Sequence, residues 1–143
     1  MEQTVVMGCR PIGNPELPAD APAWSEVPHP PSAEDGPVVV LHVLQFAPGA
    51  RDEMTSYQDA AGAVAVPHGV RIAGWFGVEG TIIGDGRAWD QVRFNAFPSA
   101  AAFMAVALDP ERLQAQATHR ETALADTYTM VLRPVIDVLG WAR

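Results

Sequence analysis

Val70-Arg71-Ile72-Ala73-Gly74-Trp75-Phe76-Gly77-Val78-Glu79, continued to Ile83 and followed after Gly84-Asp85-Gly86 by Ala88-Trp89-Asp90-Gln91-Val92-Arg93-Phe94-Asn95-Ala96-Phe97, is the stretch that decides the fold. Both halves alternate and are rich in aromatic and β-branched residues, and Gly-Asp-Gly is a turn signal. They read as two strands of one antiparallel hairpin. Upstream, Val38-Val39-Val40-Leu41-His42-Val43-Leu44-Gln45-Phe46 is a strand buried on both faces, ended by Pro48-Gly49. A helix follows, with Asp52 and Glu53 in its first turn, Met54, Tyr57, Ala61 and Val64 on one face, and Pro67-His68-Gly69 at its end. Downstream, Ser99 is the expected N-cap of an Ala-rich helix carrying Phe103, Val106 and Leu108. Asp109-Pro110-Glu111 then restarts helix after a kink or short loop. Leu124 to Arg133 is a last strand, with Tyr128, Met130 and Leu132 alternating with Thr127, Thr129 and Val131, and Pro134 stops it. The order is β-α-β-β-α-β. It predicts an α+β, ferredoxin-like domain: a four-stranded antiparallel sheet with both helices on one face and the other face bare.

Length and composition agree with one such unit. The chain has 143 residues, 48% hydrophobic and 18% charged, and no apolar run approaches the roughly 18 residues of a membrane span. Its formal charge of -8 disfavours nucleic acid and anionic membrane surfaces as partners. Cys9 is the only cysteine, so an intrachain disulfide and a cysteine-based metal site are out of reach. With no basic, apolar leader after Met1, a cytoplasmic protein is expected. Residues 1–36 form a proline-rich arm, in which Pro11, Pro15, Pro18, Pro22, Pro28, Pro30 and Pro31 recur, and 37–143 form the domain with its C-terminal tail. Thr4-Val5-Val6-Met7 can add a short strand and Trp24 can anchor the arm, although a loosely held tail is the plainer expectation. Cys9, beside only Arg10, reads as incidental.

Strand parity singles out the candidate site. Val92, Phe94 and Ala96 suit the helix side, which leaves Trp89, Gln91, Arg93, Asn95 and Phe97 on the bare side. His42 shares a side with Val38, Val40 and Leu44, and Arg71, Ala73, Trp75 and Glu79 share another. If these sets face the same way, aromatic walls and convergent polar groups line a concavity between two sheets. The same surface also serves a plain subunit interface.

Trp89-Asp90, Phe97-Pro98-Ser99, Phe103-Met104, Asp109-Pro110, His119-Arg120 and Ala123-Leu124, at these spacings, resemble a bacterial family of unknown function in the dimeric α/β-barrel superfamily. The resemblance covers roughly Pro37 to Pro134 and is densest from Ala88 to Leu124. It implies a homodimer whose two sheets pack face to face with the helices outside. Superfamily relatives include cofactor-independent monooxygenases, haem-degrading enzymes, muconolactone isomerases and dye-decolorising peroxidases, so no single reaction is implied.

Each candidate residue carries two readings. His42 is either a histidine hydrogen-bonded across the sheet or a general base. Arg93 and Asn95 can clamp a carboxylate or oxyanion, or Arg93 can simply pair with Glu79 across the hairpin. Trp75 and Trp89 can floor a pocket, with Arg71 and Gln91 beside them, or anchor a dimer. His119-Arg120 suits the end of a helix. His29, His42, His68 and His119 show no metal-ligand spacing, Gly84-Asp85-Gly86 lies between antiparallel strands rather than at a phosphate-binding helix start, and no Gly-x-Ser-x-Gly corner occurs. No metal or cofactor is therefore expected. Two functions remain: an enzyme taking a small, partly aromatic metabolite in the barrel, with His42, Arg93 and Asn95 as catalytic residues in cofactor-independent oxygenase or isomerase chemistry, and a non-catalytic binding or assembly module.

Overall fold

The structure, a computed structural model, describes residues 6–12, 36–84 and 86–134. Trp24, His29 and the tail beyond Pro134 lie outside them. The strands are β1 (Val6–Pro11), β2 (Val38–Phe46), β3 (Arg71–Ile83), β4 (Gln91–Phe97) and β5 (Leu124–Leu132). Between them stand α1 (Arg51–Ala65) with a 3-10 turn at Val66–His68, α2 (Ala100–Ala107), α3 (Pro110–Ala115), a π-helical turn (Gln116–Arg120) and a last short helix, α4 (Glu121–Ala123). The sheet order is β1-β3-β4-β2-β5 and every pairing is antiparallel. This is the ferredoxin-like arrangement with the helices on one side. It gains a fifth strand, because Val6–Pro11 pairs along the free edge of β3 rather than hanging loose.

Local chemistry sets the element ends. Gly69 takes a left-handed conformation (φ 75°) after the 3-10 turn and donates its N–H to Val66. A Cβ there would be strained. Ser99 caps α2 by accepting from the Ala102 N–H, and Asp109 caps α3 by accepting from the Glu111 and Arg112 N–H groups. β4 starts at Gln91 rather than at Ala88. Asp90 is the reason: its N–H donates to Leu44, its carbonyl accepts from Val78, and its carboxylate accepts from the Phe46 N–H at 2.8 Å.

The helices cover the face of β2 that carries Val38, Val40 and Leu44. Val38 and Val40 pack with Phe97, Val106 and Phe103 in one cluster, while Leu44 packs with Met54, Tyr57, Ala115 and Ala123 in another. The register then fixes β4, because residues directly opposite one another share a face. Asn95 opposes Val40, Arg93 opposes His42 and Gln91 opposes Leu44, so these polar residues lie under the helices. This reverses the expected facing. Val92, Phe94 and Ala96 point away from the helices, where Ala96 packs with Val39 and Ala73, and Phe76 meets Phe94 edge to face at 6.4 Å.

An irregularity in β3 between Ile72 and Gly74 separates residues that simple alternation had grouped. Arg71 opposes Ala96 and faces away from the helices, whereas Trp75 opposes Arg93 and lies beneath them. One extra residue inverts the parity on its far side. Gly74 sits at this kink with no room for a side chain, since a Cβ would stand 2.8 Å from the Phe76 ring and 3.2 Å from that of Phe94.

Candidate functional site

One residue from each of four strands forms a rank across the helix-facing side of the sheet. Trp75 on β3 opposes Arg93 on β4, which opposes His42 on β2, which opposes Thr129 on β5. The rank lies between the two apolar clusters, so the interior under the helices is hydrophobic at both ends and polar in the middle. Five of the seven candidate site residues meet here, on the helix-facing side rather than the expected bare side: His42, Arg93, Asn95, Trp75 and Gln91. Arg71 and Trp89 belong to the other face. Trp89 precedes β4 and is buried against Tyr128 edge to face, with the Arg87 guanidinium 4.7 Å from its ring and 5.2 Å from that of Tyr128. Arg87 also pairs with Asp126 at 3.3 Å.

Arg93 is the unusual member. It is 8% exposed, its Nε has no hydrogen-bond partner, and among the described residues no carboxylate lies within ion-pair reach. The pairing of Arg93 with Glu79 that the hairpin suggests does not occur, because Glu79 binds Arg10 of β1 instead. Burial pulls the Arg93 pKa down, Tyr57 opposes that shift and Arg120 adds to it. Two further buried polar atoms lack partners: Nε1 of Trp75 and Oε1 of Gln91. Buried polar atoms are nearly always satisfied in native proteins, so three neighbours without partners mark a place built for something else.

His42 takes the plainer of its two roles in part, with its Nδ1 3.4 Å from the Thr129 hydroxyl. Burial, followed by the charges of Arg93, Arg120 and Arg112, lowers its pKa to about 3. The imidazole is therefore neutral near pH 7 and among the described residues has no hydrogen bond to Nε2. Thiol chemistry at Cys9 has no comparable support, since burial and then Glu79 raise its pKa.

Two side chains that parity arguments miss, Tyr57 and Arg120, adjoin this rank. Tyr57 comes down from α1, buried against Leu44 and Met54. The π-helical turn gives consecutive residues different reaches on α1: His119 Nδ1 meets Glu53 at 2.7 Å, while the Arg120 guanidinium stands 5.9 Å over the Tyr57 ring and 3.4 Å from the Thr127 hydroxyl. Wide turns of this kind often occur at functional sites. Arg112 donates to the Val106 and Ala107 carbonyls at the end of α2 and to Gln116, and its guanidinium reaches the Tyr57 hydroxyl at 3.5 Å. Among the described residues no group of three or more His, Cys, Asp or Glu side chains could hold a metal ion, and no helix is long and apolar enough to cross a membrane.

No family model matches the chain, and no curated protein matches it. Solved structures do. A protein of unknown function from Rhodopseudomonas palustris is 27% identical, with a TM-score of 0.66, covering 73% of this chain and 88% of its own. A dabb family protein with a ferredoxin-like fold from Mesorhizobium loti is 11% identical, with a TM-score of 0.51 over 69% of this chain and 97% of its own. A protein from Mycobacterium tuberculosis is 18% identical, with a TM-score of 0.52 over 72% and 99%. These likenesses agree with the ferredoxin-like fold read from the element order, and the neighbours include uncharacterised proteins.

Proposed function

We propose that the protein is a homodimer that binds a small, partly aromatic metabolite in a recess between sheet and helices, around His42, Arg93 and Trp75. The observation that carries this reading is the buried Arg93 with an unpartnered Nε, flanked by the unpartnered Trp75 indole N–H and Gln91 amide oxygen. A buried cation without a counter-charge costs several kcal/mol unless a ligand or water satisfies it. Natural sequences tolerate such a cost chiefly where it serves function. The recess thus takes over the role that parity assigned to a cavity between two sheets, and its facing weighs against His42 and Arg93 serving only to complete a subunit interface.

The chemistry within reach is proton transfer at a carbon next to a carbonyl, the first step shared by isomerisation and cofactor-independent oxygenation. In that step Arg93 and Asn95 hold the oxyanion that forms, and His42 takes the proton once a bound anion offsets the burial and arginine charges that keep its pKa at about 3 in the free protein. The arrangement serves equally as a binding site without turnover. The test is to follow ligands that copurify with the protein by native mass spectrometry, in the wild type and in His42→Ala and Arg93→Ala. The reading expects a retained small molecule that both substitutions release while subunit number is unchanged. Equal retention in both variants would remove the recess as the site.

A further inference from the structure

We infer that the recess recognises the carboxylate of its ligand, with Arg93 and Arg120 as the paired cations and the Trp75 indole N–H as a flanking neutral donor. This rests on the proposal that the recess is the binding site, and adds the chemical class of what binds there.

The chain carries an excess of eight negative charges, yet among the described residues the charged side chains acting on Arg93 and His42 are arginines, Arg120 on both and Arg112 on His42. Carboxylates of neighbouring elements are engaged elsewhere: Glu53 by His119, Glu79 by Arg10, Asp90 by the Phe46 N–H and Arg51, and Asp126 by Arg87. The counter-charge that a buried guanidinium requires is therefore not supplied by these groups.

Register and side-chain contacts place the second cation nearby. Arg120 donates to Thr127, two residues along β5 from the Thr129 that faces His42, and overlies Tyr57. Tyr57 and Arg93 interact electrostatically in turn. Two guanidiniums, rather than ammonium groups, favour a planar acceptor with two oxygens. The adjoining N–H of Trp75 is a donor as well, and neutral His42 adds no further positive charge to the cluster. A monoanionic carboxylate on a flat, partly aromatic body matches this set, with Trp75 supplying a ring surface for that body.

The experiment uses the full chain and benzoate as probe, with benzamide as its neutral counterpart and inorganic phosphate as the competing anion. Binding is read by calorimetry and by the Trp75 indole N–H resonance, assigned through Trp75→Phe. Benzoate should bind saturably and move that resonance, with benzamide and phosphate weaker by about tenfold or more. Arg93→Met and Arg120→Met should each lose about tenfold in benzoate affinity, and Arg93→Lys should fall between Arg93→Met and wild type. Thermal melts separate this loss from unfolding, since replacing an unpaired buried cation by Met should leave stability equal or higher. Equal binding of benzamide, indifferent to Arg93→Met, would keep the recess as a site and overturn the carboxylate. Phosphate binding as tight as benzoate would overturn the choice of anion. No binding by any probe would overturn the carboxylate and the recess together.

Discussion

A histidine in the middle of an aliphatic strand must either find partners or stay neutral, and His42 does both. Its Nδ1 lies against Thr129, and burial with three nearby arginines holds its pKa at about 3 against an ordinary 6.5. The sign of the linkage follows. In the unfolded chain the imidazole takes up a proton as pH falls through 6.5, whereas the folded protein resists until pH approaches 3. Stability from this residue is therefore complete above about pH 6.5 and is lost progressively toward pH 3, by an amount on the order of a few kcal/mol. His42→Gln should flatten this acid limb. Urea midpoints at about pH 7 and about pH 4.5 should separate by less in the variant than in the wild type, and parallel behaviour of the two proteins would contradict the assignment.

Among the elements, the legible ones were those whose ends carry their own chemistry. Ser99 and the Asp109-Pro110 pair cap α2 and α3 as their side chains dictate, and the break between these helices falls where the restart was expected. Asp109 also sets the direction of the segment that ends in Arg120. Asp109→Ala removes an acceptor for two backbone N–H groups and should lower stability by about 1 kcal/mol. Chemical denaturation checks the loss, and Asp109→Asn should recover most of it. What could not be read was facing. Alternation says which residues share a side, but Gln91, Arg93 and Asn95 are polar and yet lie under helices, while the apolar Val92, Phe94 and Ala96 take the opposite face of the sheet. The extra residue near Ala73 is signalled only by Gly74, a lone glycine within the alternating stretch, and it moves Arg71 off the face of Trp75. Tyr57 and Arg120 were visible only as a core residue and a helix-end cation, because their meeting depends on the packing of α1 against the π-helical turn.

At the scale of the molecule, the reversal of facing leaves an apolar surface on the side of the sheet away from the helices. Val39, Leu41 and Val43 on β2 adjoin Val92, Phe94 and Ala96 on β4 and Tyr128, Met130 and Leu132 on β5; Val92 and Ala96 are already buried, whereas the last three are 47%, 42% and 39% exposed. Apolar surface of that continuity is seldom left in water. A second copy of the same sheet face is the occupant we propose, because a two-fold pairing covers both apolar surfaces at once. Leu41 lies on the strand between β4 and β5, opposite Phe94 on one side and Met130 on the other, so Leu41→Arg places two charges in a symmetric interface. Sedimentation velocity should show a dimer for the wild type at micromolar concentration and a monomer for Leu41→Arg, with the far-ultraviolet circular dichroism retained. The recess faces the opposite side of the sheet, so benzoate affinity should change little in that monomer. A dimer that survives Leu41→Arg would place the subunit contact elsewhere. A monomer that also loses benzoate would mean that pairing of the sheets shapes the recess through the shared strands β2 and β4.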